Sequence, residues 1–245
     1  MERVLLVGDL HCSEHDERAV TLAAQISEAF RPDRVVFLGD CVDAGWATDK
    51  FRVDKTRVVG ALEREVSAWE RVLAQFHAPL IQMLPGNHER RIRDFVWNNP
   101  ALAGWKSLEP QQLFRLGNRA KWVEAGYVRL ARGRFIVTHG SRVSKWAGMS
   151  AKSELQDVWG TSGASGHTHR LGAFYHRLEG GLRVWVEAGS LCRNPPLRYD
   201  PSVPAPLDWH QGVVVLYVNG DQFHVQPIPF TLSYRAMLDG RVFRA

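Results

Sequence analysis

The sequence predicts an α/β fold, and three observations carry that prediction. Short apolar runs of buried-strand type, Val4-Leu5-Leu6-Val7, Arg34 to Leu38 and Leu80 to Leu84, alternate with stretches of helical period. The first two runs and the helical stretch between them form a βαβ unit, expected to be parallel and right-handed. Each run is followed closely by glycine and polar side chains, at Gly8-Asp9-Leu10-His11, Gly39-Asp40-Cys41-Val42-Asp43 and Pro85-Gly86-Asn87-His88-Glu89. The carboxyl ends of strands are where open α/β sheets place their ligands.

The first helix is expected from Glu17 to Phe30, with Val20, Leu22, Ala23, Ile26 and Phe30 near helical spacing, and Pro32-Asp33 breaks it. A long helix follows from about Thr56 to Phe76. The stretch from Glu89 to about Trp97 reads as helix, carries Arg90, Arg91 and Arg93, and ends at Asn98-Asn99-Pro100. Residues 100–120 are rich in turn formers, with a short helix near Gln111, and a flap or cap over the site is expected at 98–120. Two or three short strands come next, the last running from Arg134 to Thr138 into His139-Gly140.

Lys152 to Val158 reads as helix, and a small-residue strand, Thr161 to Ser165, leads into Gly166-His167-Thr168-His169-Arg170. Phe174 to Leu178 and Leu182 to Glu187 make a hairpin across Glu179-Gly180-Gly181. Residues 193–208, which hold five of the twelve prolines, read as a surface loop, because strands resume at Gly212 to Val218 and Phe223 to Pro227. No internal repeat or low-complexity tract is visible.

Composition bounds the function. The 245 residues suit one α/β domain or two small ones, and 45% hydrophobic content is ordinary for a globular chain. A net charge of +5 favours acidic partners such as phosphate esters or nucleic acid only weakly, because the arginines are dispersed. Cys12, Cys41 and Cys192 form no CxxC pair and suggest no disulfide framework; the first two read as small reduced fillers. No signal peptide or membrane-spanning run is visible, so a cytoplasmic protein is expected, with no membrane partner.

Taken singly the polar groups say little. A Gly-Asp turn after a strand is often turn chemistry, a lone histidine near a strand end is usually structural, and paired histidines can be surface residues. Their joint arrangement says more. Five of the ten histidines, His11, His88, His139, His167 and His169, fall at strand ends alongside Asp9, Asp40 and Asn87. His15, His77, His176, His210 and His224 fit no such pattern and read as structural or surface residues.

This order resembles the calcineurin-like metallophosphoesterase superfamily, whose pattern is D-x-H, G-D-x-x-D, G-N-H-(E/D), H and G-H-x-H. Here the pattern is carried by Asp9 and His11, Gly39-Asp40 with Asp43, Gly86-Asn87-His88-Glu89, His139, and Gly166-His167-Thr168-His169, across about two thirds of the chain. Small bacterial and phage-encoded members look similar overall. The resemblance implies a single metallophosphoesterase domain over 1–245, with two mixed β-sheets packed face to face and helices outside. It implies one metal held by Asp9, His11, Asp40 and His169 and a second by Asp40, Asn87, His139 and His167. His88 would be the catalytic histidine that binds no metal, oriented by Asp43.

Mixed imidazole, carboxylate and amide donors suit two divalent transition-metal ions, manganese first, with iron or zinc as alternatives. A hydroxide bridging the two ions would attack phosphorus, with His88 protonating the leaving oxygen. One departure concerns the protein Ser/Thr phosphatase branch, which carries arginines where this chain has Ala44 and Pro85. Arg90, Arg91, Arg93 and Arg170 are the candidate replacements, with Arg90 and Arg170 taken as substrate-binding. The expected function is phosphodiester hydrolysis on a nucleotide or nucleic acid. The alternatives are a phosphomonoesterase of small-molecule or protein-phosphatase type, and a scaffold that binds without catalysis.

Overall fold

In the computed structural model the described residues are 1–47, 58–158, 160–193 and 208–245. The start of the helix expected from Thr56 and nearly all of the proline-rich stretch lie outside them.

Two mixed sheets form the centre. In the first, β1 (Glu2–Val7), β2 (Arg34–Phe37), β3 (Leu80–Met83) and β4 (Lys121–Trp122) run parallel. On the other side of β1, β10 (Gly212–Asn219) and β11 (Gln222–Pro229) add antiparallel strands, giving the order β11-β10-β1-β2-β3-β4. The second sheet has the order β5-β6-β7-β9-β8. It is built from β5 (Tyr127–Leu130), β6 (Phe135–Thr138), β7 (Ser162–Ser165), β8 (Leu171–Leu178) and β9 (Gly181–Ala188).

The strand period of two explains why the sheets stack. Val4, Leu6, Val36, Val214 and Leu216 on one face of the first sheet meet Val128, Phe135, Val137, Ala164 and Val186 of the second in one buried cluster. The alternate residues Leu5, Val7, Val35, Phe37, Val213 and Val215 face outward. There they bury the apolar sides of helices α1 (Glu17–Phe30) and α2 (Ala61–Leu73). Helix α5 (Met149–Asp157) covers the outside of the second sheet through Ala151 and Leu155, which pack on the fully buried Trp185. The result is the four-layer arrangement of two mixed sheets with helices outside.

Most differences from expectation are at element ends. The helix before β7 starts at Met149 rather than near Lys152, and β8 and β9 are eight residues each, longer than the runs read as a hairpin. Residues 100–120 form two 3-10 turns and the short helix α4 (Pro110–Leu113), and bury Phe114 and Leu116 in the cluster beneath α1 and α2. A final hairpin, β12 (Arg235–Leu238) and β13 (Arg241–Arg244), was not expected, and it packs Ala236, Leu238 and Phe243 into that same cluster. The three cysteines are free and buried.

Asp16 ties these layers together. It caps α1 by accepting from the N–H groups of Arg18 and Ala19, while its second oxygen accepts from Gln211 Nε2 at 3.0 Å and Tyr234 Oη at 2.6 Å. Burial acts to raise its carboxyl, but the hydrogen bonds from Tyr234, Gln211, Ala19 and Arg18 outweigh burial and hold it below the ordinary value. Asp16→Ala is expected to lower stability by about 1–3 kcal/mol, from a lost cap and unpaired buried donors, read as a shift in the urea midpoint. The folded carboxyl lies below its unfolded value. The ionised group therefore stabilises fully above the ordinary aspartate range, and that stabilisation is lost as pH falls through the depressed folded value. Asp16→Asn should flatten this part of the pH profile.

Candidate metal centre

Strand register brings the polar loops together. Val7, Phe37 and Met83 lie level in β1, β2 and β3, so Asp9, Asp40 and Asn87 emerge two, three and four residues later at one edge of the sheet. Thr138 and Ser165 are level in β6 and β7, so His139 and His167 leave the second sheet side by side. The first two loops are laddered by His11 N–H to the Asp40 carbonyl, Cys12 N–H to the Cys41 carbonyl and Asp43 N–H to the Cys12 carbonyl, at 2.9–3.0 Å. Helix α3 (Asn87–Trp97) starts directly at the third loop.

Asp40 is the hub. Its Oδ2 lies 3.5 Å from His139 Nε2, 3.7 Å from His88 Nε2 and 3.8 Å from His11 Nε2, while its Oδ1 accepts the His88 N–H at 2.9 Å. His11 Nε2 and His169 Nε2 are 3.0 Å apart, His169 Nε2 is 3.7 Å from Asp9 Oδ1, and His139 Nε2 is 2.9 Å from Asn87 Oδ1. His167 donates its backbone N–H to both Asp9 oxygens and sets its ring 5.0 Å from that of His139. Three overlapping groups therefore gather donor atoms within 4.8 Å: Asp9 with His11 and His169, His11 with Asp40 and His88, and Asp40 with His139 and His167. Donors ~2.1 Å from a shared tetrahedral ion stand about 3.4 Å apart. The observed 3.0–3.8 Å spacings fit ions seated among them.

The imidazoles are oriented from behind, as ligating histidines are. His139 Nδ1 donates to the Leu38 carbonyl at 2.9 Å, which turns Nε2 toward Asp40. His11 Nδ1 faces Asp43 Oδ1 at 3.3 Å, and His169 Nδ1 faces Cys192 Sγ at 3.5 Å. Burial lowers the basicity of His139, to about 4, and also that of His167 and His169. These rings are therefore neutral and offer lone pairs. Burial acts to lower His11 too, but the Asp43 hydrogen bond and the charges of Asp40, Asp43 and Asp9 win and raise it to about 8. Burial pushes Asp9 well up, with Asp40 adding to the shift. Burial would also raise Asp40, but His139, His88 and His11 hold it well below the ordinary carboxylate range. Buried acids that raise one another's carboxyls make an environment that a cation relieves.

Backbone strain marks the same residues. Asp9, His11, Asp40, His167 and His169 all have φ between 48° and 70°, the left-handed region that side chains avoid. Close approach is required as well. A Cβ on Gly86 would lie 2.1 Å from Asp40 Oδ1, and one on Gly166 would lie 2.6 Å from Asp9 Oδ2.

His88 and Asp43 sit together, and both the carbonyl and the carboxylate of Asp43 face the ring. His88 Nδ1 is 2.5 Å from the Asp43 backbone carbonyl and 3.4 Å from its carboxylate, which also faces His11. Burial acts to raise the Asp43 carboxyl, but these two histidines hold it far below the ordinary range. The 2.5 Å approach to a carbonyl is a donor's contact, so Nδ1 carries hydrogen and Nε2 faces Asp40. Arg91 Nη1 donates to the same carbonyl at 3.1 Å and lies 2.9 Å from His88 Nδ1.

The two arginines expected to bind substrate, Arg90 and Arg170, differ in their surroundings. At ~100° per residue, Asn87, His88 and Arg91 share one side of α3, whereas Glu89, Ile92, Arg93 and Val96 fall on the other. Arg90 is exposed and, with Arg93, lines a cavity on that second side. Arg170 is buried, donates to the Thr168 carbonyl at 3.3 Å and lies 3.7 Å from Asp208.

Glu89 was read only as part of the third loop, yet it binds the loops together. Its carboxylate accepts the N–H groups of Asp40, Cys41, Val42 and Gly86 at 2.7–3.2 Å. Burial and the Asp40 charge push its carboxyl up to about 7, and four N–H donors favour the ionised form against them. A glutamate three residues after the residue that caps a helix is the sequence signal for such a role. Glu187, which accepts from Thr168 Oγ1 at 2.7 Å behind His167 and His169, carried no such signal.

The family model of the calcineurin-like phosphoesterases matches residues 2–171. The Gene 54 protein of Mycobacterium phage L5 is 26% identical over 256 aligned positions, covering 99% of this chain and 98% of that protein. Among solved structures, Vacuolar Protein Sorting 29 of Cryptosporidium parvum aligns over 98% of this chain and 94% of its own at 14% identity, with a TM-score of 0.48. Wild-type Vps29 of Entamoeba histolytica, solved with zinc, aligns over 98% and 95% at 14% identity, with a TM-score of 0.45.

Glu89→Gln should leave the secondary structure intact by circular dichroism but lower stability by about 1–3 kcal/mol. The amide offers one oxygen to four N–H groups and adds a donor among them. Metal affinity, measured by competition with a chromogenic chelator, should fall in the same variant.

Proposed function

We propose, from a chain that belongs to the calcineurin-like phosphoesterase family and is a metal-dependent phosphoester hydrolase, that its substrates are phosphate diesters of nucleotides or nucleic acid. Two divalent ions serve it, manganese first. Asp9, His11, Asp40 and His169 hold one ion; Asp40, Asn87, His139 and His167 hold the other. When bound, such a pair polarises the phosphoryl oxygens and lowers the pKa of an attacking water. The observation that carries the reading is that Asp40 lies between two groups of donor atoms, 3.8 Å from His11 Nε2 of the one and 3.5 Å from His139 Nε2 of the other.

The remaining roles belong to side chains. The Asp43 carbonyl accepts from His88 Nδ1 and fixes the ring. When protonated, His88 then keeps its Nε2 hydrogen for the leaving oxygen; when neutral, it presents a lone pair there. Arg91, anchored on the same carbonyl, holds the Asp43 to Ala44 turn against α3. Diester preference rests on positions 44 and 85. Ala44 is buried with its N–H on Glu65 Oε2 at 2.9 Å, and Pro85 lines the cavity on the other side of α3. A dianionic monoester would lack the two charge-assisted contacts that arginines supply at these positions in the protein phosphatases, and a diester, with less charge, needs them less.

Three measurements test this. The manganese-loaded protein should show higher kcat/KM on bis-p-nitrophenyl phosphate than on p-nitrophenyl phosphate, with activity lost to a chelator and restored by manganese; a clear monoester preference would favour the phosphomonoesterase. Asp40→Asn should reduce both bound ions by elemental analysis, whereas His139→Ala should remove about one; equal loss of both ions in the two variants would contradict a bridging Asp40. His88→Ala should keep both ions and slow turnover on the order of 10²- to 10⁴-fold. The loss should be smaller for p-nitrophenolate, which leaves without a proton, than for alkoxide leaving groups. Loss of a metal ion in this variant would instead make His88 a ligand, as its grouping with His11 and Asp40 permits.

A further inference from the structure

The geometry points to a second ligand site, for a small planar aromatic carboxylate, in the cavity between α3 and residues 108–126. The cavity encloses about 230 Å³ on the side of α3 turned away from His88. That is room for one or two fused rings.

Its walls select the ligand. Phe114 and Trp122 are stacked, with ring centroids 5.6 Å apart at 24°, and Ile92, Val96 and Leu113 complete an apolar lining. Such walls favour a flat aromatic body. Arg90 and Arg93 are exposed beside the cavity; Arg93 lies 3.7 Å from Asp94, whereas the Arg90 guanidinium makes no hydrogen bond or ion pair among the described residues. The cavity has two acids, and both carboxylates are occupied: Glu124 accepts from Trp122 Nε1 at 2.8 Å and Glu89 from the loop N–H groups, and neither makes an ion pair with Arg90 among the described residues. A planar guanidinium beside an apolar slot matches a carboxylate on an aromatic ring.

Glu89 links this cavity to the ligand loops. It belongs to the cavity wall, and its carboxylate holds the N–H groups of Asp40, Cys41 and Val42. A ligand packed against this stretch of α3 bears on the position of Asp40 and so on turnover.

Calorimetric titration of the full, metal-loaded chain with 2-naphthoate tests the site, using 2-naphthalenemethanol as the uncharged match. One saturable site per chain is expected. Arg90→Gln should weaken naphthoate roughly 10- to 100-fold, the range for a hydrogen bond to a charged group, and should bring it level with the alcohol. Val96→Trp fills the cavity and should abolish binding, with a thermal melt to verify folding. If that variant does not fold, Arg90→Gln decides. Naphthoate at saturation should also shift kcat or KM for bis-p-nitrophenyl phosphate in the unsubstituted protein. No saturable binding, or equal binding by the alcohol, or affinity unmoved by Arg90→Gln would overturn the site. Binding with kcat and KM both unchanged would overturn its link through Glu89.

Discussion

Four N–H groups pointing at one buried carboxylate hold this site in shape. Glu89 gathers them from Asp40, Cys41, Val42 and Gly86, so the loop after β2 and the loop after β3 are fixed to each other rather than merely adjacent. Asp40 is thereby pinned by its own backbone while its side chain faces three imidazoles. Gly86 must be glycine for this, because the two loops approach within a Cβ's radius of the Asp40 carboxylate. Preorganisation of this kind is what hydrolytic metal sites require, since a carboxylate that swings freely holds no ion at a fixed distance.

That rigidity has an electrostatic and a conformational cost. Asp9, Asp40 and Glu89 are buried within one small volume, and burial and their mutual repulsion raise both Asp9 and Glu89. Five neighbouring residues sit in left-handed backbone geometry at the same place. Neither feature is helpful to a protein whose loops are only connections. Both make sense where a cation returns the energy, and both cluster on the residues whose donor atoms converge.

Much of the centre was legible in the sequence because strand ends are local signals. An apolar run followed by glycine and an acid can be read without any partner, and parallel register then delivers Asp9, Asp40 and Asn87 to one edge. The four-layer arrangement followed from the family resemblance alone; the strand period that splits Leu5 and Leu6 between two cores is how the chain realises it. What escaped was set by distant partners. The direction of Arg90 depends on the packing of residues 108–126 against α3. Cys192 came to face His169 only because the chain after β9 returns to the centre. Neither leaves a periodic trace, whereas the β12–β13 hairpin does carry a local signal, the Asp239-Gly240 pair at its two-residue turn.

The first sheet also dictates a timetable. β1 is made well before β10, one of its two neighbours, so Glu2 to Leu6 complete their pairing only when Val214 to Val218 arrive. The hydrogen bond between Tyr234 and Asp16 spans 218 positions. Pairing across such separations pays loop-closure entropy before it returns any contact and is slow. Until the late strands arrive, β1 presents one apolar edge with open backbone groups, the state in which nascent chains aggregate or recruit chaperones. The strand that delivers the first metal-ligand candidates therefore stays half paired until β10 is made, after every ligand candidate up to His169 is already in the chain.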